Sequence, residues 1–226
     1  MLTGAGVSAE SGIATFRSPG GLWRNFRAED LATPEAFARD PILVWQWYDW
    51  RRGLIAAASP NPGHAALVLL EGHAAKFTLI TQNVDGLHDR AGSRNVLKVH
   101  GDIWILRCTK CPREWRDDRT PLPEIPPRCE CGALARPGVV WFGEGLPQNI
   151  WKSAEEAAAT CDVFVVAGTS GVVYPAAGLV ALAKRRGALT VEINVAESAV
   201  SPHVDHLLRG ASGEILPALA GIGAVA

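Results

Sequence analysis

Long apolar runs are missing from this chain of 226 residues. None approaches the ~20 residues needed to cross a bilayer, so a membrane is not an expected partner. An excess of either charge is missing too. Lysine and arginine total 22 against 23 acidic residues, a formal net charge of −1. No broad basic surface therefore argues for nucleic acid as a partner. The chain does not open on a basic flank followed by a short apolar stretch, so export is not supported and a cytoplasmic location is the expectation. Repeats and low-complexity tracts are absent, and the apolar content is that of a folded protein.

Cysteine is sparse, at five residues, but four of them crowd together as Cys108, Cys111, Cys129 and Cys131. Without export signals, such a cluster reads as metal ligands before it reads as disulfides. Cys108-x-x-Cys111, then seventeen residues, then Cys129-x-Cys131 is tetrathiolate spacing, with a C-x-C second pair. Four protein thiolates leave a tetrahedral Zn²⁺ no open position, so the expected metal is one structural Zn²⁺. An insert of about 35 residues has too little core to hold its own shape, and a metal staple supplies the deficit. Cys161 stands alone beside an apolar run and reads as a small buried residue.

Short β-rich runs occur at residues 77–80, 96–99, 163–166 and 189–193, with helical segments at 63–70, 150–160 and 175–186. Alternating strand and helix predicts an α/β fold, a parallel sheet with helices on both faces. Met1-Leu2 leads straight into Thr3-Gly4-Ala5-Gly6, so the first strand is either very short or lacks its beginning. Residues about 27–60 are helical and tryptophan-rich, with Asp40-Pro41 as N-cap and first helical residue. Residues about 103–137 carry the cysteines and many prolines. Both read as inserts that together make a smaller lobe, leaving about 1–26, 61–102 and 138–226 for the larger one, within a single domain.

The strands end in Thr-Gly-Ala-Gly, Thr-Gln-Asn-Val-Asp, His-Gly-Asp, Gly-Thr-Ser and Asn194. Each group alone could simply mark a turn. Together they place amides, hydroxyls, a carboxylate and a histidine at the carboxyl edge of the sheet, where open α/β folds bind ligands. "TGAGVSAESG" has glycines that let backbone N–H groups approach a pyrophosphate. It is not G-x-G-x-x-G, because position 9 is alanine, and a tight turn is the competing reading.

At this point the motifs resemble a known family. "GAGVSAESG" with "FR", "TQNVDGLH", "VHGD", the paired cysteines, "VVWFGE", "GTSGVVYPA" and a late "EIN" occur in the order found in sirtuins, over nearly the whole chain. The resemblance implies a Rossmann lobe with a small zinc-bearing lobe, NAD as co-substrate, and acyl-lysine-bearing proteins or peptides as partners. It implies that residues 4–23 (Gly4, Ala5, Gly6, Ser8, Glu10, Phe16, Arg17 and Trp23 among them) bind NAD and cover its nicotinamide. Ala5, Phe16 and Arg17 would lie nearest the reacting ribose. Gln82, Asn83, Val84 and Asp85 would hold ribose and nicotinamide amide, and Gly168, Thr169, Ser170, Asn194 and Ser212 would surround the adenosine. His100 would be the general base, assisted by Asn83, and Val139, Val140, Trp141 and Phe142 would pair with the substrate peptide as an added strand. In the family the acyl oxygen attacks the nicotinamide ribose, and nicotinamide, free lysine and 2′-O-acyl-ADP-ribose are the products. Two departures stand out: Ala14 where most sirtuins have proline, and the C-x-C pair.

"VWQWYDWRR" (residues 44–52) places Tyr48 and Arg51 three apart, on one helix face. A guanidinium fork and a phenol suit a carboxylate. The pair, with small Ala32, resembles the mark of sirtuins that remove succinyl and malonyl groups, with acetyl also accepted. The competing reading has Arg51, and Arg52 with it, snorkelling to solvent while Tyr48 packs in the core. Other functions on this scaffold are NAD glycohydrolysis, ADP-ribosyl transfer, and non-catalytic binding of NAD or acyl-lysine.

Overall fold

Three helices begin where a capping side chain precedes a proline. Thr33, Asp40 and Asn61 accept bonds from the backbone N–H groups of Ala36, Leu43 and Gly63 at 3.1, 2.9 and 2.9 Å. The proline that follows each cap supplies a preset φ and needs no N–H partner. The computed structural model describes residues 1–15 and 26–221. In chain order the elements are β1 (Leu2–Thr3), α1 (Gly6–Ala9), α2 (Ala28–Leu31), α3 (Pro34–Arg39), α4 (Pro41–Ala57), α5 (Pro62–His73), β2 (Leu79–Thr81), α6 (Leu87–Ala91), β3 (Val96–Lys98) and β4 (Gly101–Cys108). Then come β5 (Glu114–Arg116), β6 (Ala135–Val139), α7 (Gln148–Thr160), β7 (Val163–Ala167), α8 (Gly178–Arg185), β8 (Leu189–Asn194), β9 (His206–Arg209) and α9 (Ser212–Leu219).

Six strands form one sheet in the order β3-β2-β1-β7-β8-β9, and every pair is parallel. The chain first builds outward from β1 on one side, then crosses back and builds from β7 on the other. The carboxyl ends of β1 and β7 therefore diverge at a switch point, which opens a crevice between their loops. β1 spans only two residues, yet it is paired on both sides, Leu2 with Ile80 and Val166. One face is covered by α7 and α8, whose Ala154, Leu179 and Val180 pack on Leu2, Ile80 and Phe164. The other is covered by α5 and α9, through Leu67 and Leu216 against Leu79 and Ile193.

A second, antiparallel sheet has the order β5-β4-β6. Its core is shared with the helices of residues 28–57: Trp45 is fully buried, and its indole N–H donates to the Ala135 carbonyl at 2.8 Å. Removing that ring would cost about 3–5 kcal/mol. Arg52 does not reach solvent. It is completely buried, lies 5.1 Å over the Trp104 ring, and donates to the carbonyls of Asp117 and Arg119. α4 is thereby fastened to the segment between the two cysteine pairs. No described helix is long and apolar enough to cross a membrane.

Candidate active site

The loops after β1 and β7 touch backbone to backbone. Gly4 N–H donates to Ala167 and Gly6 N–H to Gly168, at 3.0 and 2.8 Å. A Cβ on Gly6 would come within 2.7 Å of Gly168 Cα, and one on Gly168, where φ is +61°, within 2.5 Å of Val7 N. These glycines are thus required by loop contact, before any ligand is considered. β2 ends beside them. Gln82 Nε2 donates to Thr169 Oγ1 at 3.2 Å, and Asn83 Nδ2 to the Gly4 carbonyl and Ser8 Oγ at 3.0 and 3.2 Å. Ser8 Oγ donates to Asp85 Oδ2 at 2.8 Å, and Asp85 Oδ1 accepts the Leu87 N–H. From β8, Asn194 Nδ2 holds the Thr169 carbonyl at 2.8 Å. Both donor bonds of the Asn83 amide stay inside the protein, so its Oδ1 is the atom left for a ligand.

His100, just past β3, has Nδ1 at 3.1 Å from the Gln82 carbonyl. A carbonyl only accepts, so Nδ1 carries the proton and Nε2 is the basic atom. Burial lowers the His100 pKa, against the opposing Gln82 bond. The ring is therefore neutral near pH 7, as a proton acceptor must be.

These groups line one cavity of about 550 Å³. Gly4, Ala5, Gly6, Ser8, Gln82, Asn83, Val84, Asp85, His100, Gly168, Thr169, Ser170 and Asn194 are on its wall. Glu10 and Ser212 are not. Glu10 Oε2 accepts the Gly213 N–H at 2.6 Å and so caps α9, where its charge suits the helix N-terminus. Ser212 is buried beside Gly63. Phe16, Arg17 and Trp23 fall outside the described residues.

The same cavity takes in Ala32, Tyr48, Arg51, Val139, Val140, Trp141 and Phe142. Tyr48 and Arg51 are 2% and 5% exposed, so neither snorkels. The Arg51 guanidinium carbon lies 4.7 Å from the Trp47 ring centre and 5.5 Å from that of Tyr48. Burial lowers the Arg51 pKa and raises that of Tyr48, which the Arg51 charge partly offsets. Trp47 was not singled out in the sequence; its placement four residues before Arg51 was the available signal. The expected peptide-pairing segment is less open than a free edge. The N–H groups of Val140, Trp141 and Phe142 already donate to His100 O, Glu144 Oε2 and Ala32 O at 2.9, 2.8 and 3.0 Å. An added strand would have to use carbonyls such as that of Val140.

The four clustered thiols lie within 4.8 Å of one another, with Cys108–Cys131 at 3.4 Å and Cys111–Cys129 at 3.7 Å between sulfurs. A disulfide would need about 2.05 Å, whereas a tetrahedral zinc with bonds of about 2.3 Å sets its sulfurs about 3.8 Å apart. The N–H groups of Lys110 and Cys111 point at Cys108 Sγ and hold its pKa down to about 6, which favours the ligating thiolate. The cluster fits a structural zinc site, C-x-C pair included.

The family model for the Sir2 family matches residues 4–175. The protein belongs to the Sir2 family. An NAD-dependent protein deacylase 2 from Pyrobaculum aerophilum is 56% identical to this sirtuin over 220 residues, covering 97% of this chain and 88% of its own. An NAD-dependent protein deacylase from Aquifex aeolicus is 58% identical over 205 residues, covering 90% and 86%. Among solved structures, a Sir2 homologue bound to NAD superposes with a TM-score of 0.92 at 50% identity, covering 98% of this chain and 87% of that one. A Sir2 protein with a deacetylated p53 peptide and 3′-O-acetyl ADP-ribose gives 0.85 at 30% identity, covering 98% and 92%. The sheet, crevice and cysteine cluster are accordingly the Sir2 form of the Rossmann-like fold. The names of these relatives say deacylase and do not name the acyl group.

Proposed function

We propose that this sirtuin is an NAD-dependent protein-lysine deacylase that removes acidic acyl groups, succinyl and malonyl, and accepts acetyl as well. Family membership supports the NAD-dependent deacylase activity. The observation carrying the acidic preference is a buried phenol and guanidinium on one face of α4, lining the cavity that also holds His100. Taking a guanidinium out of water is costly. A carboxylate at the tip of an acyl chain would offset that cost through charge-assisted bonds to Arg51 and Tyr48.

Residues of the β1, β2, β7 and β8 loops would hold NAD, which when bound supplies a ribose carbon with a good leaving group and two neighbouring hydroxyls. His100 Nε2 would take a proton from a ribose hydroxyl, while the Gln82 carbonyl fixes the tautomer. Asn83 Oδ1 and the Asp85–Ser8 pair would orient the ribose and exclude water. The peptide would dock against the 139–142 segment through the Val140 carbonyl. The thiolate cluster would hold zinc away from the reacting atoms, as a structural element.

The test is mass spectrometry of NAD reactions on matched acetyl-, succinyl- and malonyl-lysine peptides. Arg51→Met should lower desuccinylation about 100-fold more than deacetylation, because a site built around a polar partner discriminates strongly. Equal losses would reject the acidic preference. Nicotinamide released without any acyl peptide would point to NAD glycohydrolysis instead.

A further inference from the structure

We propose that Trp141 determines acyl selectivity by aiming the Tyr48 hydroxyl. The inference rests on the acidic-acyl reading above. The Trp141 indole N–H donates to Tyr48 Oη at 2.9 Å, in a region where both rings are buried. A phenol has one hydrogen to give. With an indole donor already on the oxygen, that hydrogen must take another direction. Among the described residues it has no acceptor, and Tyr48 lines the cavity. The result is a phenol fixed as a donor toward whatever enters. An acyl chain ending in a carboxylate can accept that bond, and an acetyl group has no terminal acceptor.

The indole is itself held from several sides. Arg136 stacks over it, with its guanidinium carbon 3.5 Å from the ring centre. Arg136 grips Glu144 by two bonds of 2.5 and 2.8 Å, and Glu144 Oε2 accepts the Trp141 backbone N–H at 2.8 Å. Phe37 packs against the indole at 5.4 Å between centroids. A ring needed only as filling would not require its N–H to be aimed. The clamp of Arg136 and Glu144 fixes both the plane and the N–H direction, as a positioning residue must be fixed.

Trp141→Phe keeps an aromatic ring and removes the N–H. The experiment compares wild type, W141F, Y48F and the double variant on succinyl- and acetyl-lysine peptides, with Tm recorded for each. W141F should lower the succinyl-to-acetyl ratio of kcat/KM about tenfold, chiefly through a raised KM for the succinyl peptide. In the Y48F background, adding W141F should change the ratio less than about twofold, because the hydroxyl to be aimed is gone. An equal effect in both backgrounds, or an unmoved ratio in W141F, overturns the proposal. If W141F does not fold, Arg136→Met must lower the ratio in the same direction, and an unchanged ratio overturns the proposal equally. A wild-type protein without desuccinylation rejects the acidic-acyl reading and this inference together. Desuccinylation that R51M abolishes and W141F leaves intact rejects this inference alone.

Discussion

The imidazoles of His64 and His88 pack against each other, both buried, with ring centres 4.8 Å apart and ring planes tilted by 52°. His64 Nδ1 accepts the Asn61 N–H at 3.3 Å, so its proton sits on Nε2. His88 Nε2 lies 3.0 Å from Thr3 Oγ1, which donates onward to Thr81, so His88 donates there and its Nδ1 is bare. His64 Nε2 and His88 Nδ1 are both buried with no hydrogen-bond partner among the described residues, an arrangement that favours two neutral rings.

Acid should break this pair. Burial, with the charge of the other histidine adding, lowers the His64 pKa to about 4; burial, with Lys98 adding, does the same for His88. Below the unfolded value of about 6.5, the unfolded chain binds protons that the folded chain refuses. Stability is therefore full above pH 6.5 and falls as pH drops toward 4, by up to about 1.4 kcal/mol per pH unit for each histidine. Tm measured from pH 7 to 4.5 should decline, and His88→Gln should flatten the decline. A flat wild-type profile would contradict the assignment.

Catalysis should show a different acid limb. His100 is lowered by burial, so kcat/KM should hold below pH 6.5 and fall only with an apparent pKa under that value. His100→Ala should cut turnover by about 10²–10⁴-fold while NAD still binds, as checked by calorimetry.

The glycine contact between the β1 and β7 loops should be intolerant. Gly168→Ala places a Cβ 2.5 Å from Val7 N at a φ of +61°. The expected cost is about 2–4 kcal/mol in denaturant melts, with weaker NAD binding. Unchanged stability would show that the loops can part freely.

Metal analysis should find one zinc per chain. Cys111→Ser or a strong chelator should remove it and lower Tm by about 10 °C or more. A metal-free protein with an unchanged melt would exclude a structural site.

Four of the parallel strands were legible because 77–80, 96–99, 163–166 and 189–193 are compact β-rich runs between turn residues. β6 was not, since Pro137 and Gly138 interrupt it, and β9 was not, since His206–Arg209 is short and largely exposed. The strand ends declared the crevice, because polar residues there recur in one pattern. Helical spacing placed Tyr48 and Arg51 on one face of a helix, but only the family resemblance gave the pair a role. Arg52 misled, because its partners Asp117 and Arg119 lie more than sixty residues away in the insert. Glu10 misled for a similar reason: the backbone it caps is at Gly213. The support of Trp141 by Arg136 and Glu144 was hidden, since it depends on how a strand and a turn fold back on each other.

Arg51 and Arg52 are neighbours on α4 with opposite duties, one at the cavity wall and one bolted to the stretch between the cysteine pairs. A partly demetallated preparation would loosen the bolt and slacken the helix that carries Arg51, while the dinucleotide cleft, built from other strands, still filled.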